Sequence, residues 1–240
     1  YNAGHVIDLS QPLGGPIEDP VANTYHSSRY DPLFDEPELC ASCHNVIELG
    51  GLPLERPYDE WLESPSRLAG QSCQGCHMPT YEGQAAEGAP TRTLHSHRFL
   101  GVDVPLSEGF LTPEREQETI DEVRHLLQQS AELTLDAPDS IPAGGQVDLV
   151  VTVQNLIEGH NLPTGSTFIR QLWLEVTATD AAGNVLYQTG HTDELGDLMN
   201  HFSEVLPYGD PDLIQIGSRL LDSNGQPEVL TWRASDHKIE

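Results

Sequence analysis

All four cysteines of the 240-residue chain fall in two short runs, Cys40-Ala41-Ser42-Cys43-His44 and Cys73-Gln74-Gly75-Cys76-His77. Both have the form C-x-x-C-H. Two thiols at this spacing lie on one helical turn and can add to the two vinyl groups of a haem, and the imidazole that follows is placed to coordinate the iron. Two copies that use every cysteine predict two covalently bound haem c groups. Cys40, Cys43, Cys73 and Cys76 are then the thioether sulfurs, and His44 and His77 the proximal iron ligands. A zinc ribbon also pairs C-x-x-C units, but it needs no histidine after each pair and usually sets the pairs closer together. A thiol redox pair calls for a surrounding βαβ pattern, which the sequence lacks. Thioether formation takes place outside the cytoplasm, so the chain is expected in the periplasm or outside the cell.

Each iron needs a second axial ligand, or an open site if substrate binds there. The two methionines suit this poorly: Met78 directly follows His77 and cannot reach the opposite face of the same haem, and Met199 sits in a polar loop. Histidine is the natural alternative. His160 lies in Gly159-His160-Asn161-Leu162-Pro163-Thr164-Gly165, a stiff turn between strands. His97 is favoured over His95 because it precedes Phe99, an aromatic that can lie on a porphyrin. His26, in Tyr25-His26-Ser27-Ser28-Arg29-Tyr30, comes before the first attachment site. For His26 and His160 the competing reading is a histidine that faces water. His5, His125, His191, His201 and His237 are not expected to be ligands, although His5 and His237 stay open because they lie near abrupt ends at Tyr1 and Glu240 that suggest a truncated chain.

The elements that must position these residues change character along the chain. Up to about residue 110, Gly and Pro recur constantly and only short helices fit, such as Tyr58-Asp59-Glu60-Trp61-Leu62. Thr112-Pro113-Glu114 opens a longer helix, with Thr as N-cap, Pro in the first turn and an apolar stripe of Ile120, Val123, Leu126 and Leu127 running to about Gln129. From Ala131 the period changes to two: Leu133/Leu135, Val147/Leu149/Val151/Val153 and Ile169/Leu172/Leu174/Val176, with turns at Ala143-Gly144-Gly145 and Ala182-Gly183-Asn184. Further strands are expected near Leu213–Leu221 and Glu228–Arg233, joined by Ser223-Asn224-Gly225. The predicted class is α+β: an irregular, short-helix dihaem half with a linking helix over residues 1–130, then an Ig-like antiparallel β-sandwich over 131–240 that contributes a distal ligand. So irregular a first half needs another source of core, and a porphyrin would supply a large apolar surface.

The formal charge of −27, with Lys and Arg numbering 11, argues against nucleic acid or anionic lipid as partner. A solvated acidic surface accounts for it. No run approaches the roughly 20 apolar residues that span a bilayer, so direct membrane insertion is not expected.

Glu38-Leu39-Cys40-Ala41-Ser42-Cys43-His44, Tyr58-Asp59-Glu60-Trp61-Leu62-Glu63-Ser64, Cys73-Gln74-Gly75-Cys76-His77-Met78-Pro79, His97-Arg98-Phe99-Leu100-Gly101 and Gly159-His160-Asn161-Leu162-Pro163-Thr164-Gly165 follow one another in an order that resembles the multihaem cytochromes of the cytochrome c554-like group, including forms with a C-terminal β-sandwich. The resemblance covers nearly the whole chain. It implies electron transfer by bis-histidine haems, with His97 and His160 on matching motifs and His26 in a matching upstream segment. Such proteins commonly carry a further C-x-x-C-H before a segment like Gly15-Pro16, and this chain has none there. Two haems with three distal candidates leave one histidine surplus. The sharper expectation is that His26 or His160 coordinates a haem of a neighbouring chain, so that the protein self-associates into an extracellular filament with a continuous haem row, besides meeting redox partner proteins. The rival reading is a small reductase or oxidase with one open haem site acting on nitrogen or sulfur oxyanions. Scarce cationic residues to hold such a substrate favour a carrier over an enzyme.

Overall fold

The structure is a computed structural model that describes residues 12–21, 24–105, 107–201 and 203–239; His5 lies outside the described residues. The chain forms two compact units, each drawing on separated stretches. One comprises residues 12–44 and 57–162, the other Asn45–Arg56 and residues 163–239. The boundary anticipated at residue 130 falls inside the first unit. The α+β class holds, as short helices joined to small, mostly antiparallel sheets, and every ladder among the described residues is a two-stranded ribbon.

In the first unit β1 (Leu13–Gly15) pairs in parallel with β2 (Ser28–Tyr30). Four short helices follow, α1 (Pro37–His44), α2 (Pro57–Leu62), α3 (Pro65–Leu68) and α4 (Cys73–His77). Their starts are written in the sequence. Pro37, Pro57 and Pro65 each occupy a first helical position, where the missing N–H costs nothing. Ser64 and Ser72 cap α3 and α4, accepting from Arg67 N and Gly75 N. The antiparallel ribbon β3 (Thr80–Gln84) and β4 (Thr91–His95) comes next, then α5 (Pro113–Gln128), capped by Thr112 as anticipated. A final ribbon joins β5 (Ala131–Asp136) to β6 (Val150–Asn155). Val123 on α5 is the one buried aliphatic side chain of this unit among the described residues, whereas Leu127, expected on the same stripe, is exposed.

The second unit holds three antiparallel ribbons: β7 (Leu172–Leu174) with β10 (Ile214–Ile216), β8 (Val176–Thr179) with β9 (Val185–Thr189), and β11 (Ser218–Leu221) with β12 (Asp236–Ile239). Leu54, Leu198, Met199 and Leu220 form its buried apolar centre. Three of its turns share one design, D-x-x-G-x. In Asp180–Asn184, Asp193–Asp197 and Asp222–Gln226 the aspartate Oδ1 accepts the backbone N–H groups two and four residues on, at 2.8 to 3.0 Å. The glycine takes a φ of 85°, 88° and 74° respectively, which only glycine adopts freely.

Two strand expectations are corrected. Ile169 lies in a 3-10 turn and the run that follows breaks at Glu175 into β7 and β8, which pair with different partners. Residues 228–233 form no strand. Glu228 Oε1 accepts from Val229 N at 2.9 Å and Leu230 N at 3.0 Å, local bonds that withdraw those donors from any ladder, and Thr231–Arg233 is a 3-10 turn. The partner of β11 is β12, beyond it.

Asp210 is the buried polar hub of this unit. Its carboxylate accepts from Gly190 N at 2.7 Å, from Thr189 Oγ1 at 2.9 Å and from Asp212 N at 3.1 Å. Burial pushes the carboxyl up, but the Gly190, Thr189 and Asp212 donors and nearby His191 outweigh it, and the net direction is down. A depressed carboxyl stabilises the fold above the ordinary aspartate pKa of about 3.9 and loses that contribution as pH falls through its lower folded value. Asp210→Ala would leave the Gly190 N–H buried without an acceptor. A loss of roughly 2–3 kcal/mol is expected in denaturant unfolding at neutral pH, smaller in acid, where only the stranded Gly190 N–H remains as a cost; an equal loss at pH 7 and pH 2 would contradict this.

Candidate functional site

All six residues of the two C-x-x-C-H runs belong to the first unit. Cys40, Cys43 and His44 lie on α1, and Cys73, Cys76 and His77 make up most of α4. The two helices pack against each other. Gln74, between the first two positions of the second motif, is buried, and its Nε2 donates to Glu36 O at 2.8 Å and Phe34 O at 3.2 Å, carbonyls of the turn that leads into α1. The first thiols of both motifs also lie within hydrogen-bond reach of each other. Cys73 donates to Cys40 and lowers its thiol to about 7, while the same bond and burial push Cys73 up. Cys43 and Cys76 are exposed.

The tyrosine-tryptophan segment supports this arrangement. Tyr58 OH donates to Glu38 Oε1 at 2.8 Å, tying α2 to α1, and Trp61 Nε1 donates to Gln71 O at 2.9 Å, just before α4. The Tyr58 and Trp61 rings stack with centroids 5.8 Å apart.

One distal candidate faces a proximal histidine. The rings of His77 and His160 lie nearly parallel, at 19°, with centroids 6.2 Å apart. His77 Nδ1 is 2.9 Å from Leu100 O and His160 Nδ1 is 2.9 Å from Asn161 O. A carbonyl only accepts, so each Nδ1 carries a proton, and in the neutral ring that leaves the Nε2 lone pair as the one available to a metal. The loop bearing His160 is fixed by bonds to its own unit: Asn155 Nδ2 to His160 O at 3.0 Å, Asn161 N to Glu60 Oε2 at 3.0 Å and Ser66 N to Glu158 O at 3.3 Å.

This donor set suits a metal between the rings. Imidazole nitrogens bind first-row metals at about 2 Å, so two axial imidazoles on one ion have ring centres about 6 Å apart, and second-shell carbonyls on Nδ1 are the usual means of fixing such ligands. A haem iron fits, and the four thiols would hold the macrocycles. An apolar cofactor also suits a unit in which Val123 is the one buried aliphatic residue described.

The other histidines have different partners. The His97 ring lies 5.7 Å from that of Phe99, tilted by 36°, and Phe99 is exposed. His26 Nδ1 is 3.3 Å from Ser27 O and Ser28 Oγ, neighbours in its own segment. His95 Nδ1 meets Met78 O at 2.8 Å and braces the residue after His77. In the second unit His237 uses both ring nitrogens, Nδ1 to Pro53 O at 2.9 Å and Nε2 to Ser218 Oγ at 2.6 Å, which closes it to iron. His201 stacks on Tyr208, and Met199 is buried. Gln74 and the Leu100 and Asn161 carbonyls had no sequence signal: the middle positions of C-x-x-C accept any residue, and a backbone acceptor has no identity to read.

No family model matches the chain, and no curated protein matches its sequence. Among solved structures it is similar to a penta-heme cytochrome c552 from Thermochromatium tepidum, with a TM-score of 0.59 and 22% identity over 97% of this chain and 54% of that one. The chain spans about half the length of that protein and shares its fold over that span.

Proposed function

We propose that this chain is an electron-transfer protein of the c-type cytochrome class that carries two covalently bound haems. The observation that carries the reading is the His77–His160 pair, two nearly parallel imidazoles with centroids 6.2 Å apart and both Nδ1 protons engaged, one of them on the helix of a C-x-x-C-H motif. The fold shared with a penta-heme cytochrome supports it. One haem is held by Cys73 and Cys76 with His77 and His160 as axial ligands. The other is held by Cys40, Cys43 and His44, with His97 or His26 as its distal ligand. The haem supplies a one-electron iron couple. The chain fixes both faces of the second iron, leaving no coordination site for substrate, and Gln74 sets the two attachment helices side by side so that charge can pass between neighbouring macrocycles. Haem attachment implies a periplasmic or extracellular protein. Whichever of His26 and His97 is not needed within the chain is the residue that can bind a haem of a neighbouring copy and extend the row into a filament.

Mass spectrometry of the native chain is expected to show two added haem masses. Ferric spectra are expected to be fully low-spin at the His77 site and indifferent to carbon monoxide after reduction. Absence of porphyrin mass, or zinc in its place, would remove the reading.

A further inference from the structure

The carbonyl that orients His77 belongs to an unusual piece of backbone. Leu100 follows Phe99, which has a φ of 47°, a left-handed conformation that a bulky aromatic residue adopts only under constraint. Phe99 is 60% exposed, so its own burial does not supply that constraint. Packing behind the segment is incomplete: a cavity of about 250 Å³ is lined by Pro79, Arg98 and Leu100 together with Glu122 and Leu126 of α5. The firm attachments are polar. Arg98 Nη1 donates to Glu122 Oε1 at 2.6 Å, and its guanidinium also pairs with Glu118 at 3.5 Å, both on α5. Ser96 N donates to Pro79 O at 2.9 Å, which fixes the start of the segment beside α4. Phe99 therefore sits between an anchored arginine and the carbonyl that meets His77.

We infer that Arg98 is a positioning residue for the His77 ligand: its fork on Glu118 and Glu122 holds Phe99 in the left-handed region and so turns the Leu100 carbonyl onto His77 Nδ1. This rests on the proposed reading that His77 binds haem iron. A carbonyl on Nδ1 gives an imidazole partial anionic character and makes it a stronger ligand to the ferric than to the ferrous ion. Releasing it raises the reduction potential of the haem bound by His77.

The test is spectroelectrochemical titration of the full, haem-loaded protein and of three variants. Arg98→Ala is expected to reduce the preference of the His77 iron for the ferric state about tenfold, a rise of about 59 mV for a one-electron couple. Glu122→Gln, a milder change that keeps the segment's shape, is expected to move the same haem in the same direction by less. Arg98→Ala combined with Phe99→Gly is expected to return the potential part of the way towards the starting value, because glycine reaches a positive φ without the steric penalty that the anchor offsets in phenylalanine. An ion pair that served only general stability would not be rescued by a glycine one residue away. Unchanged potentials in Arg98→Ala and Glu122→Gln, in preparations that carry two low-spin haems, would overturn the positioning role and leave the cytochrome reading standing. Starting protein without covalent haem would overturn both.

Discussion

Replacing His160 by alanine is expected to convert one of the two haems from low spin to high spin and leave the other untouched. The geometry gives a single partner for His77 across the 6.2 Å gap, so truncating that side chain strips one axial bond from one iron. The five-coordinate ferric site should take up cyanide, and the reduced site carbon monoxide, each with a stoichiometry of one per chain. Its potential should rise as well, since a nitrogen donor that stabilises the ferric state has gone. Stability gives a second readout. The loop around His160 keeps its bonds to Glu60 and Ser66, so the backbone should stay folded. Two low-spin haems in the purified variant would show that another residue serves the His77 iron and would remove the pairing.

The second large effect is expected at a residue that binds no iron. Gln74→Leu keeps the volume of a buried side chain and removes the donor shared by Glu36 O and Phe34 O. Glu36 O keeps its bond from Leu39 N at 3.2 Å, so the loss falls mainly on Phe34 O, and about 1 kcal/mol in thermal or denaturant unfolding is expected. The loss should appear first as weakened coupling between the attachment helices. In circular dichroism of the Soret band, the split signal of two closely spaced macrocycles should collapse to two independent ones, with covalent haem content unchanged. A variant with native stability and an intact split band would show that α1 and α4 are held together by other contacts.

The local parts of this architecture were legible because local chemistry writes them. Proline followed by an acidic turn announced α5, Thr112 announced its cap, and Gly183 and Gly225 announced two turns in which they take a positive φ. The C-x-x-C-H runs stated their chemistry in five residues each. What periodicity could not supply was pairing. Leu172, Leu174 and Val176 read as one strand, yet the break at Glu175 is set by two different partners, Ile214–Ile216 and Val185–Thr189. Glu228–Arg233 has strand composition, and only the position of the Glu228 carboxylate beside its own following N–H groups shows why it turns instead. The same limit applies to the site. His160 was one of several credible histidines until its distance and angle to His77 were known. Gln74 and Arg98 matter through what they touch, and neither belongs to a pattern that a one-dimensional reading could weigh.

The facing imidazoles also join distant points of the chain, since positions 77 and 160 are separated by 83 residues. A coordination bond that bridges them acts as a cross-link. By the loop-closure estimate that applies to covalent bridges of this span, it removes about 4–5 kcal/mol of freedom from the unfolded polypeptide. If the proposed haem sits there, the metal that carries charge would also be a clasp, and the mechanical integrity of this unit would depend on oxidation state and on any small base that competes for the iron.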